Sequence, residues 1–106
     1  MITRYRGAVI ETNLMPRGKL LVPPPGKVLI TRDEAEDVYG SIIIPDAARQ
    51  APISGTIAAV GSDVEFWEPN DQVVFGQYAG AKVRWEGFEY DIMVAKDIHV
   101  KLMETN

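Results

Sequence analysis

The stretch AKVRWEGFEYDIMV, Ala81 to Val94, decides the fold. Two runs rich in β-branched and aromatic residues flank Glu86-Gly87, and a dipeptide ending in glycine supplies the positive φ that a two-residue hairpin turn needs. In the second run Phe88, Tyr90 and Ile92 alternate with Glu89 and Asp91, the period-two pattern of a half-buried strand. The stretch therefore predicts an antiparallel hairpin over 81–85 and 88–94. Beyond it, Ala95-Lys96-Asp97 turns the chain, and Ile98, Val100 and Leu102 alternate with His99 and Lys101 in a last strand.

Working back towards the N-terminus, Gln72 to Phe75 reads as a strand closed by Gly76, and Thr56 to Val60 as a strand ended by Gly61. Ser62 to Asp71 connects them and carries Phe66, Trp67 and Pro69. Lys27 to Arg32 is a further strand, entered through Pro23-Pro24-Pro25, whose fixed φ and missing N–H groups favour an extended approach. Residues 1–20 are weakly patterned: Gly7 to Ile10 reads as one short strand, and Pro16-Arg17-Gly18 breaks what precedes it. Six or seven short strands with Gly- or Pro-marked turns, and no amphipathic helix, predict an all-β domain, a small antiparallel barrel or sandwich.

At 46% hydrophobic and 25% charged, the 106 residues have the make-up of one globular domain. The net charge of −4 and the lack of any Lys/Arg cluster speak against a nucleic-acid partner. With no cysteine, disulfides and thiolate metal sites are excluded and a cytosolic setting is expected. The N-terminal residues hold no apolar run long enough for a signal peptide, and no segment is long and apolar enough to span a bilayer as a helix.

Catalytic chemistry finds little footing. His99, the single histidine, falls on the polar side of its strand, and nothing places Ser41, Ser54 or Ser62 beside it. Asp33-Glu34-Ala35-Glu36-Asp37 has four acids in five residues but lacks the alternating ligands and central glycine of a calcium loop, so it reads as a solvated loop. Gly76 and Gly80 have no Lys-Ser/Thr ending and suit strand-end turns better than a phosphate loop. No cofactor and no metal site are expected.

Ile42-Ile43-Ile44 stands out. Three β-branched residues lie between Gly40-Ser41 and Pro45, inside a polar, small-residue stretch. From pattern alone this is either a short core strand or a portable apolar peptide that docks in a groove on another protein. Burying an Ile side chain is worth about 1.5–3 kcal/mol, and fixing each backbone residue costs about 1–2 kcal/mol. One such peptide binds weakly and reversibly; several held in one ring gain through effective concentration.

Taken together, Val22 to Leu102 resembles the GroES-type co-chaperonins, the 10 kDa chaperonin family. Pro23 to Arg32 resembles the family's opening strand, and Gly40 to Ala48, with the Ile triplet, its mobile-loop motif. Gly55 to Gly61 resembles the next strand and turn, Asp71 to Gly80 the segment leading to the last hairpin, and Glu89 to Val100 the ending. Five motifs in the right order make the resemblance specific. It implies a GroES-like antiparallel β-barrel over 22–106 behind an N-terminal extension (1–21), with a mobile loop over about 32–54, assembling into a seven-membered ring. It also implies that Ile42, Ile43 and Ile44, flanked by Gly40, Ser41 and Pro45, dock on the apical domains of a GroEL-type partner. That partner binds the ATP, and substrate protein is enclosed in its chamber. Pairing of first and last strands between neighbours would bring Val28, Leu29 and Ile30 beside Ile98, Val100 and Leu102.

Three features depart from the family pattern. Ser41 stands where a second glycine is usual, the 62–70 connection is shorter than the family's usual one, so that the roof hairpin is expected to be missing or rebuilt, and residues 1–20 precede the usual start. Phe66 and Trp67 in that connection either pack inward or line the lid. A short roof with an added N-terminal segment resembles virus-encoded co-chaperonins. Two other readings stay open: the GroES-like barrel domain of an enzyme such as a medium-chain alcohol dehydrogenase, although the dinucleotide-binding half and cysteine zinc ligands are absent, and a small-barrel structural or binding module.

Overall fold

The structure, a computed structural model, describes residues 1–32, 52–76 and 78–103. Among these residues it contains eight strands: β1 (Ile2–Tyr5), β2 (Ala8–Glu11), β3 (Lys27–Arg32), β4 (Pro52–Val60), β5 (Gln72–Gly76), β6 (Ala81–Trp85), β7 (Phe88–Val94) and β8 (Ile98–Leu102). Single 3-10 turns occupy Thr12–Leu14 and Ala95–Asp97. All pairings are antiparallel, in the order β1-β2-β4-β3-β7-β6, with β5 joined to β4 and β8 joined to β5.

The hairpin over 81–94 forms as its sequence dictates. Trp85 pairs with Phe88, and Glu86 and Gly87 take φ of 49° and 87°. A second hairpin uses the same chemistry: Tyr5 pairs with Ala8 across Arg6 (φ 49°) and Gly7 (φ 88°). Residues 1–11 thus give two strands, not one, and β2 extends the sheet by pairing Val9 with Val60 and Ile10 with Ala59.

Irregularities in register curve the sheet and split its side chains into two cores. Leu29 pairs with Ala59 but Ile30 with Ile57, leaving Ala58 as an extra residue on β4. Such a bulge bends a strand and resets its in–out alternation. Ile57 and Val60 therefore both face the concave side, where they meet Val28, Ile30, Val73, Phe75, Met93 and Ile98 in the barrel core. Ala58 and Ala59 join Leu29 and Tyr90 on the other face, covered by Ile10 and Met15 from the N-terminal segment. Leu14 and Leu21 pack on the same cluster, Tyr90 Oη donates to the Leu14 carbonyl at 2.7 Å, and burial pushes the Tyr90 phenol pKa up. Residues 2–11 thus extend the same sheet, and the segment after them packs on the outer face of the barrel through Leu14, Met15 and Leu21.

The register shift between β5 and β8 alters one expectation. Val74 pairs with Val100 and Phe75 with Ile98, so His99 is the extra residue. Ile98 enters the core, whereas Val100 and Leu102 lie on the opposite face and stay 51% and 46% exposed. The three do not share a face.

Candidate functional site

The two ends of β4 carry different features. At its start, β3 and β4 bracket residues 33–51, with Arg32 opposite Gly55. The Gly40–Pro45 segment, Ile42, Ile43 and Ile44 included, lies outside the described residues, as does the acidic run 33–37. The root of the connection is firmly built. Arg32 makes a bidentate pair with Asp91 of β7, through Nε to Oδ2 and a guanidinium NH2 to Oδ1 at 3.3 Å, and lies 5.8 Å over the Phe75 ring. The Asp91 side chain is only 3% exposed and Arg32 24%. Loss of Arg32 would strand a buried carboxylate, a defect that costs about 3–5 kcal/mol. Thr31 Oγ1 donates to the Thr56 carbonyl at 3.2 Å. At Gly55 an added Cβ would lie 2.5 Å from the Thr31 carbonyl oxygen and 2.7 Å from Ile30 Cγ2, so the close approach of β3 and β4 requires glycine.

At the far end of β4, residues 61–71 form a connection without any strand, so no β4–β5 roof hairpin is present. An added Cβ at Gly61 would lie 2.0 Å from the Pro24 carbonyl oxygen, and Gly61 N–H donates to the Lys27 carbonyl at 2.8 Å. Phe66 is 66% exposed, while Trp67 is half-buried against the barrel core. Their rings meet edge to face at 4.8 Å, and Lys101 Nζ lies 4.6 Å from the Phe66 ring centre and 3.0 Å from Asp71. Trp67 thus packs inward and Phe66 does not. A shallow depression of about 490 Å³ lies between this connection and the β7–β8 turn, lined by Trp67, Val94, Ala95 and Ile98 among others.

The N-terminal hairpin is fastened to that same connection. Glu11 is buried on β2 and accepts from the Met1 amino group, from Asn70 Nδ2 at 2.8 Å and from the Asn13 backbone N–H at 3.0 Å. These bonds, the Met1 amino group first and then Asn70, hold its carboxyl at about 2 against an ordinary 4.5. An added Cβ at Gly7 would come within 2.9 Å of Ser62 Cβ. Sequence reasoning missed this contact, although Arg6-Gly7 between ITRY and AVIE repeats the turn signal of Glu86-Gly87.

The assembly residues need one correction. Val28, Leu29 and Ile30 are expected beside a neighbour's last strand, but β3 has β4 on one edge and β7 on the other, and all three side chains are buried in the chain's own cores. No edge of β3 remains for a second copy over 28–30. Within the described residues β8 pairs with β5 alone, so its second edge is open beside exposed Val100 and Leu102. Leu20 and Val22, just ahead of β3, are also exposed and belong to no strand of this chain.

Among the described residues there is no group of three His, Cys, Asp or Glu that could hold a metal, and no helix long and apolar enough to cross a membrane. His99 is exposed on β8. The described surfaces offer aromatic patches and open strand edges, means of binding other proteins.

Comparison with known proteins gives these surfaces a context. The family described as Chaperonin 10 Kd subunit matches residues 21–102, from just before β3 to the end of β8. A co-chaperonin GroES of Sulfurovum sp. (strain NBC37-1) is 44% identical over 73 residues, covering 68% of this chain and 85% of that protein. Co-chaperonin GroES of Campylobacter lari is 32% identical over 87 residues, covering 81% and 93%, and that of Latilactobacillus sakei is 37% identical over 83 residues, covering 67% and 85%. These relatives are co-chaperonins and not enzymes, which removes the reading as an enzyme's barrel domain. With four-fifths of its length matched and its strands in the expected order, the chain belongs to the chaperonin 10 kDa subunit family, the GroES-type co-chaperonins.

Proposed function

We propose that this co-chaperonin closes the mouth of a GroEL-type chaperonin ring in an ATP-dependent cycle and encloses substrate protein in the chamber so formed. The observation that carries the reading is the position of the apolar triplet. Ile42, Ile43 and Ile44 fall midway along residues 33–51, a connection whose two ends leave strands paired at Arg32 and Gly55. The Arg32–Asp91 pair anchors the strand from which this connection departs, which supports the reading of the triplet as a docking peptide carried between two fixed strands. Gly40 and Ser41 before the triplet and Pro45 after it delimit the docking peptide. The apical domains of the partner receive it, and the partner binds and hydrolyses the ATP, so the co-chaperonin needs no cofactor of its own.

A single docking peptide is weak by the energies given above, so the reading requires several copies held together. The family resemblance supports a ring of seven, working in the cytoplasm. The open edge of β8, with Val100 and Leu102, supports a contact to exposed Leu20 and Val22 of the next copy; Ile98 anchors β8 from inside the barrel. Pairing of this kind hides an edge that otherwise invites aggregation.

The test is ATP-dependent co-migration with a GroEL-type ring, comparing the wild-type chain with the triple variant Ile42→Ser, Ile43→Ser, Ile44→Ser. The wild type is expected to co-migrate only with nucleotide, and the variant to keep its oligomeric size and lose binding. Equal binding by both would remove the triplet from the contact, and binding by neither would remove the lid function and favour a structural module.

A further inference from the structure

Charge is unevenly divided along this chain. Residues 1–20 hold Arg4, Arg6, Arg17 and Lys19 against the single carboxylate Glu11, a net +3 in a chain of net −4, which leaves −7 on residues 21–106. The 61–71 connection is the counterpart: Asp63, Glu65, Glu68 and Asp71, with no Lys or Arg. Both features are solvent-facing. Arg4, Arg6, Arg17 and Lys19 are exposed, and none pairs with a carboxylate among the described residues; Arg6 lies over its own Tyr5 ring at 5.3 Å. Of the four acids only Asp71 is paired, to Lys101, and Asp63, Glu65 and Glu68 are exposed without a cation among the described residues.

Of the four cations Arg4 and Arg6 belong to the β1–β2 hairpin, and that hairpin sits beside the 61–71 connection. The hairpin is fixed to the connection by the Glu11–Asn70 hydrogen bond and by the close approach of Gly7 to Ser62. Yet the cations and the free carboxylates of one chain do not pair with each other. Among the described residues β1 pairs with β2 alone, so the hairpin that carries Arg4 and Arg6 ends in an open strand edge.

We infer that the β1–β2 hairpin is an assembly surface whose occupant is the acidic 61–71 connection of a second copy of this chain. The inference rests on the ring assembly proposed above. A closed ring is built head to tail, each copy offering two different, complementary patches to its two neighbours, and a basic edge with an acidic connection are complementary in this sense. The hairpin lies outside the stretch matched by the family. It therefore adds a subunit contact at the end of the barrel where the β4–β5 connection has no hairpin of its own.

The test uses the full chain and charge reversal with rescue. One variant carries Arg4→Glu with Arg6→Asp, aspartate being chosen because position 6 has φ 49° and short polar side chains tolerate that region. A second carries Glu65→Lys with Glu68→Lys, and a third combines both sets. All four positions are exposed, so the melting temperature of each variant is expected to stay near that of the wild type. Sedimentation velocity across a concentration series at about 50 mM salt is expected to show each single-sided variant assembling at a concentration roughly tenfold higher, with the combined variant restored. Near 500 mM salt, where the screening length falls to a few ångströms, the differences are expected to shrink to about twofold or less. Unchanged assembly in the single-sided variants, or no rescue in the combined one, overturns the inference and leaves the ring intact. A wild-type chain that stays monomeric at every concentration removes the ring itself, and the two failures are told apart in one experiment.

Discussion

Glu11 binds the first residues of the chain to the 61–71 connection, and its chemistry fixes a pH dependence. The Met1 amino group, the Asn70 amide and the Asn13 N–H all favour the ionised form, which holds the folded-state carboxyl at about 2. A folded value below the unfolded one means that the stabilisation is complete above the unfolded value and drains away as pH falls from about 4.5 towards 2. Thermal melts taken from neutral pH down through that window are expected to show the wild-type midpoint falling, with Glu11→Gln lower at neutral pH and flatter through the acid range. Parallel curves for the two proteins would remove Glu11 as the acid-sensitive group. Asp91 shows how such residues escape a sequence reading. Alternation in Phe88–Val94 assigns it to solvent, yet its side chain is buried, because β7 is covered on both faces and Arg32 supplies the countercharge from another strand. Nothing local to either residue announces that pair.

The N-terminal hairpin and the strap that follows form the element that most alters the barrel. Ile10, Leu14, Met15 and Leu21 cover Leu29, Ala58, Ala59 and Tyr90 on its outer face. Deleting residues 1–20 would uncover that face and remove the Tyr90–Leu14 hydrogen bond, whose net value is about 0.5–1.5 kcal/mol. The buried side chains of Ile10 and Met15 add about 1.5–3 kcal/mol each. A chain beginning at Leu21 is expected to melt at least about 10 °C lower, at roughly 4–8 °C per kcal/mol for a domain of this size, and to bind a hydrophobic dye. An unchanged melt would mean that the strap contributes nothing to the barrel. The elements differ in how readable they are. β3, β6, β7 and β8 carry uninterrupted runs between Gly, Pro or charged turns, and their limits follow directly. The first half of β4 is broken by Pro52 and Gly55, and only pairing with β5 and β3 makes it a strand. The four-residue run ITRY is half charged or polar and is held by β2 rather than by its own pattern. Bulges at Ala58 and His99 are set by partner strands, so the faces of Ile57 to Val60 and of Ile98 to Leu102 cannot be read from alternation.

For the molecule as a whole the question is which edge joins one copy to the next. The sequence resemblance points to β3 and β8 together, but a strand flanked by β4 and β7 has no hydrogen-bonding groups left to offer over 28–30, and only the topology of the sheet reveals this. β8 keeps an open edge, and the bulge at His99 turns Val100 and Leu102 outward beside it. Each is about half exposed, so burial in an assembly is worth about 1 kcal/mol per side chain at 25 cal/mol per Å² of apolar surface. Two such residues give about 2 kcal/mol per contact, roughly a 30-fold change in affinity, and a lysine in their place adds the cost of desolvating a charge. Val100→Lys with Leu102→Lys is therefore expected to leave the monomer's melt within about 2 °C, because both side chains already reach water, and to lower assembly by at least about 30-fold. Sedimentation at matched concentrations measures it. If the double variant assembles as the wild type does, the contact lies on another edge, and β1 or β6, the other two open edges among the described residues, must carry it.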